Sequence, residues 1–295
     1  METTAMATTR EGVELIPPVR QRLWGPPAVV NFVCGGLGAG LYAAAVLAAR
    51  FGGGPAVTLA AWLGPALVLA GFVAVAAEAG RPLRGPHVLR RVRTSWMSRE
   101  LWLGGAFAAC CAAEFVAPGV ARRVAALAAA GLLAAAQGLI VRHARGIAAW
   151  DVPAMPVVFL ASAAVSGAGL LALVEVVAGR PVGGALLGAT LVTLVLGAIA
   201  WLAYVTWSRE ASFARATAAL REGPTAVAIV GGGYLAPFLC AALALALPGL
   251  AVPAATLAGA LMIAGQALAK TALILTAGQL RPVTLTTLRL ERRSS

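Results

Sequence analysis

Five side chains in this sequence have the types and positions that proton chemistry inside a membrane requires. Glu78 closes one long apolar run and Glu100 opens the next. Asn31 lies about one turn into the first run, and Lys270 about two turns before the end of the last, with Gln266 about one turn deeper on the same helical face. A carboxylate partly withdrawn from water can accept a proton from a reacting hydroxyl, and an ammonium or amide can polarise a carbonyl. Ionisable groups inside a bilayer are costly, which makes them candidates for function by default. Each also has a plainer use. Glu78 and Glu100 could pair with Arg81, Arg84 or Arg99, and Glu100 could sit at a helix N-terminus capped by Ser95 or Ser98. Lys270 could snorkel to the headgroups, and Asn31 could bond a neighbouring helix.

The elements that must hold these groups are membrane spans. The chain is 60% hydrophobic and 12% charged over 295 residues, outside the range of a soluble domain. Eight segments are long enough to cross about 30 Å of hydrocarbon, at 27–49, 55–79, 101–117, 124–141, 154–178, 182–206, 226–247 and 252–277. The expected fold is all-α: a polytopic membrane protein of eight transmembrane helices. A polar N-terminal tail at 1–26 and a basic C-terminal tail at 278–295 flank a membrane domain at 27–277. The N-terminus contains acids and lacks the apolar core and cleavage site of a signal peptide. Counting along the helices puts Asn31, Glu78, Glu100 and Lys270 in one leaflet, while Glu114 and Glu175 approach the opposite face, Glu175 beside Arg180. Trp96–Glu100 echoes Trp207–Glu210, and the small-residue run near Phe32 echoes that near Phe159, which suggests two four-helix halves.

Charge gathers between Arg81 and Glu100. That connection holds six of the 23 basic residues, Arg81, Arg84, Arg90, Arg91, Arg93 and Arg99, together with Trp96. With the N-terminal tail, the connections at 142–152 and 207–225 and the C-terminal tail, it accounts for 18 of the 22 arginines. The positive-inside rule then places both termini in the cytoplasm. The net charge of +12 is spread over membrane-flanking loops, so it serves topology and does not indicate nucleic-acid binding. The same arginines, with Trp96 and its flanking hydroxyls, suit docking of a partner with an acidic surface.

Several chemistries are disfavoured. Cys34, Cys110, Cys111 and Cys240 lie in apolar runs without Cys-x-x-Cys spacing, so an iron–sulfur cluster is not expected. His87 and His143 fall at or beyond helix ends, which argues against haem held between helices, and no metal site is legible. Gly35-Gly36-Leu37-Gly38-Ala39-Gly40 looks like a dinucleotide loop but follows no strand; Gly36 and Gly40 instead form a small-residue packing face.

The order of motifs resembles a family. Asn31-Phe32-Val33-Cys34-Gly35-Gly36-Leu37-Gly38-Ala39-Gly40 comes first, and Glu78-Ala79-Gly80-Arg81-Pro82 closes the second span. Arg93-Thr94-Ser95-Trp96-Met97-Ser98-Arg99-Glu100 opens the third, and Arg145-Gly146-Ile147-Ala148-Ala149-Trp150 follows the fourth. Together they look like the membrane anchor subunits of molybdopterin oxidoreductases, the NrfD/PsrC and DmsC-type families. The resemblance is strongest between residues 24 and 170. It implies a haem-free, metal-free subunit of the bacterial inner membrane that binds menaquinone or ubiquinone. Such a subunit exchanges electrons with an iron–sulfur subunit and, through it, a molybdopterin catalytic subunit. The resemblance maps quinol-site roles onto Glu100 as first proton acceptor and Glu78 as second, where relatives often carry His or Asp. Asn31 and Lys270, with Gln266 beside the latter, become groups that orient the quinone. Two other readings fit the residues: a secondary transporter or channel, although the polar groups crowd one leaflet instead of the midplane, and a purely structural anchor.

Overall fold

The computed structural model describes residues 14–50, 52–78 and 89–284. Long helices dominate: α1 (Pro26–Ala48), α2 (Pro55–Glu78), α3 (Trp96–Val116), α4 (Val120–Arg142), α5 (Met155–Val177) and α6 (Gly184–Val205). Two short helices, α7 (Ala211–Ala216) and α8 (Ala218–Arg221), lead to α9 (Gly223–Ala246) and α10 (Pro248–Thr276). The ends are set by familiar local chemistry. Pro26 begins α1, where its missing N–H costs nothing, and Ser95 caps α3 by accepting from the Ser98 N–H at 3.4 Å. Within α9, Ala228–Leu235 opens into a π-helical stretch, and α10 ends in another, Ala272–Thr276.

Among the described residues, seven helices are long and apolar enough to cross a membrane, one fewer than the eight expected. The difference is α3. The expected span at 101–117 does fold as a 21-residue helix, but Arg99, Glu100 and Glu114 dilute its apolar character. The seven apolar helices expose Leu69, Val73, Val177, Val192 and Leu239 outward, as a bilayer solvent requires. This is a polytopic helical membrane protein.

The helices pack as two rings of four. In the first, α1 touches α2, α2 touches α3, α3 touches α4, and α4 returns to α1; in the second, α5, α6, α9 and α10 close in the same way. The seam between the rings is α1 and α4 against α5. There Phe32 meets Phe159 edge-on at 5.5 Å, and Gly36 and Gly40 lie against Ala163 and Gly167. All three pairs have the same separation in sequence, so α1 and α5 run parallel and in register. At Gly40 and Gly167 the backbones approach so closely that neither position has room for a side chain. Consecutive helices are antiparallel: Gly38 and Asn31 face Gly64 and Gly71 of α2, and Gly104 and Phe107 of α3 face Phe72 and Gly64.

One end of the bundle is sealed by its own tails. The strands β1 (Glu14–Ile16) and β2 (Val283–Thr284) pair antiparallel, and the Gln21 N–H donates to Gly278 O and the Leu280 N–H to Val19 O, each at 2.8 Å. The Arg281 N–H reaches Gly146 O at 2.9 Å, and its guanidinium pairs with Asp151 at 3.2 Å and Glu210 at 3.7 Å. Trp24 stacks on the buried Trp150 at 4.8 Å, and the Trp150 indole donates to Leu273 O, a carbonyl in the terminal π turn. The described parts of the two tails are therefore one assembly with the 143–154 connection, not separate polar segments.

Candidate functional site

The sealed end is also where α1, α3, α4 and α10 bring Asn31, Glu100, Gln137 and Lys270, roughly 6–9 Å inside the helix ends. At its centre is Glu100, 4% exposed. Its Oε1 accepts from Asn31 Nδ2 of α1 at 2.9 Å and from Gln137 Nε2 of α4 at 3.0 Å. Gln137 Nε2 also reaches Asn31 O at 3.3 Å. Three helices thus converge on one carboxylate. Ser98, fully buried, lies half a turn away on α3.

The glycines of α1 make this convergence possible. A Cβ at Gly35 would occupy the place of the Gln137 carboxamide nitrogen, and one at Gly36 would meet Lys270 Nζ. Successive glycines therefore admit two polar heads on adjoining faces of α1. Lys270 lies in the second of these slots, donating from Nζ to Phe32 O at 2.7 Å with the Phe159 ring 5.5 Å away. It makes no ion pair with Glu100 within 4 Å. Gln266 faces the other way, into the second ring, where it accepts from the Tyr234 hydroxyl at 3.4 Å. Tyr234 stands on the π-helical stretch of α9, and π turns concentrate at functional positions.

The hydrogen bonding around Glu100 is lopsided. Both amide nitrogens are committed to the carboxylate, while the amide oxygens Asn31 Oδ1 and Gln137 Oε1 are buried without a donor. Leaving a buried acceptor unmet costs about 1–3 kcal/mol. In the second ring Gln266 Nε2 and Ser162 Oγ are likewise unmet.

Among the other expected site residues, Glu78 ends α2, but its side chain lies outside the described residues, as do Arg81, Arg84 and His87. Arg90, Arg91 and Arg93 are exposed at the sealed end. Arg99 and Trp96 are used internally. The Arg99 guanidinium donates to Val92 O and Arg93 O, both at 2.9 Å, and lies 4.2 Å from the Trp96 ring centre. The Trp96 indole donates to His143 Nε2 at 3.2 Å, while His143 Nδ1 contacts Leu139 O at 2.8 Å. These two residues fasten the arginine turn to α3 and α4. At the opposite end, Glu114 pairs with Arg123 at 2.6 Å and accepts from the Gly119 N–H at 2.9 Å, and Glu175 pairs with Arg180 through two contacts at 2.7 and 2.8 Å. Both acids are interfacial ion pairs remote from Glu100.

Gln137 is the residue that sequence reasoning missed. Its signal was available: a single amide in an alanine-rich span, about as far from the basic end as Asn31. No family model matches this chain, and no curated protein matches it.

Proposed function

We propose that this chain is a haem-free membrane subunit of a respiratory-type oxidoreductase, similar to the NrfD/PsrC and DmsC-type anchors, with a quinone site beside Glu100. In this reading an iron–sulfur subunit, itself serving a molybdopterin catalytic subunit, docks on the face carrying Arg90, Arg91 and Arg93. The observation that carries the reading is the acceptor-rich cluster: one buried carboxylate and two unmet amide oxygens from three helices. A dihydroxy aromatic head group supplies the donors this cluster lacks, so the residues fit a quinol. The quinone supplies a two-electron, two-proton couple when bound.

The protein's own contribution follows from its geometry. Asn31 and Gln137 fix one carboxylate oxygen of Glu100, so the carboxylate does not have to reorganise when a hydroxyl approaches. Glu100 takes the proton from that hydroxyl. The amide oxygens orient the head, and the surrounding apolar helices exclude water. Lys270, one slot away on α1, sets the position of the Phe32 carbonyl beside Asn31.

The reading also makes α3 an eighth span. Its support is the parallel register of α1 and α5: with consecutive helices antiparallel, α1 and α5 share a direction only if α2, α3 and α4 each cross. At one end of α3 the ion pair with Arg123 compensates Glu114, and at the other the Glu100 carboxylate accepts from two amides. The arginine-rich connections then lie on the cytoplasmic side of the bacterial inner membrane.

Glu100→Gln tests the site, because it preserves shape and removes the proton acceptor. In the intact complex, quinol-linked electron transfer should fall by about 10²–10⁴-fold. Unchanged turnover would reject Glu100 as the acceptor.

A further inference from the structure

A groove of about 660 Å³ runs along the outside of the first ring, between α2 and α3. Every described residue lining it is apolar, from Leu89 and Leu101 at the sealed end to Trp62 and Phe115, edge-on at 5.0 Å, at the other. Measured along α3 from Leu101 to Phe115, it is about 21 Å long, more than one leaflet of the hydrocarbon. Its volume over that length gives a cross-section of roughly 30 Å², well under half that of a helix about 10 Å across. That section is nearer to a single hydrocarbon chain than to a partner's membrane helix.

Its upper end comes within one side chain of the acid cluster. Phe72 lines the groove, and its ring would lie 2.6 Å from a Cβ at Gly104, the residue one turn beyond Glu100. The neighbouring Gly71 faces Asn31: a Cβ there would lie 3.0 Å from Asn31 Oδ1, one of the two unmet oxygens. Phe72 thus stands between the groove and the turn of α3 that follows Glu100, and Gly71 beside it adjoins Asn31. Gly105, on the groove wall, has no atom within 4 Å of a Cβ position, so the space beside it is open.

The geometry points to this groove as the seat of the polyprenyl tail of the quinone whose head lies at Glu100, with Phe72 as the gate between head and tail. The inference rests on the quinone reading of Glu100, and its test separates the two. The full-length protein in nanodiscs is titrated with two quinol analogues sharing one head, one tailless and one carrying a long isoprenoid tail. Wild type binds the tailed analogue more tightly. Gly105→Leu and Ala108→Leu, which fill the groove, weaken the tailed analogue at least about tenfold and leave the tailless one unchanged. Glu100→Gln weakens both. If the groove-filling variants bind the tailed analogue as wild type does, the groove holds only lipid acyl chains and the inference fails. If they weaken both analogues equally, the effect is on the head site and the inference also fails. If the tailless analogue does not bind wild type at all, it is the Glu100 reading that falls.

Discussion

Glu100 keeps its place because two helices lend it an amide each, and because α1 has no side chain at Gly35 to block the second of them. Gly35→Val should therefore expel the Gln137 carboxamide. The expected cost is about 1–3 kcal/mol, the range for overpacking, read as a lower thermal midpoint in detergent together with lost quinol-analogue binding. At Lys270, replacement by Met keeps the volume of the stem and gives up only the bond to Phe32 O, whereas Ala leaves a cavity as well. The Met variant should melt above the Ala variant; the reverse order would show that the stem does not pack in this slot. Depth counting recovered Asn31, Glu100 and Lys270 because helical rise converts sequence position directly into height. It could not tell which faces meet. Lys270 was expected to share the site with Glu100, yet the two occupy different faces of α1. Composition marks Trp96 and Arg99 as docking groups, while their bonds to His143, Val92 and Arg93 depend on contacts no linear pattern encodes.

At the level of elements, the tight turn from α3 to α4 depends on Glu114, which binds both the Arg123 guanidinium and the Gly119 N–H. Glu114→Ala leaves that guanidinium buried without its carboxylate and should cost about 3–5 kcal/mol in unfolding measurements. Glu114→Leu combined with Arg123→Met should recover most of the loss; if the double variant is no better than the single, the Gly119 bond carries the turn instead. Helix boundaries were legible within a few residues, since an apolar run of fixed length marks its own ends. The π-helical stretches were not, because a single wider turn hardly changes the hydrophobic pattern of a uniformly apolar helix. Their effect is local but definite: the terminal π turn presents Leu273 O to Trp150 and so ties α10 to the cap of the bundle.

For the whole molecule, the two runs that echo each other near Phe32 and Phe159 pack against one another in matched, parallel register. The other echo, Trp96–Glu100 with Trp207–Glu210, has no such counterpart. One copy opens α3, while the other lies in the connection between α6 and α7. Topology can be measured directly. Single cysteines placed at Arg91, Arg281 and Arg122 in a background lacking the native thiols should label with an impermeant maleimide from two sides: Arg91 and Arg281 together, Arg122 opposite. Labelling of positions 91 and 122 from one side, with position 281 opposite, would show that α3 does not cross.

The contacts that close the bundle also impose an order on its synthesis. Asn31, Glu100 and Gln137 have all emerged once α4 is made, so the acid cluster can form while the second ring is still on the ribosome. The Lys270 bond to Phe32, bridging 238 residues, and the pairing of β1 with β2 cannot form until the second ring has also been made. The later segments thus close over a site that the first ring has already built.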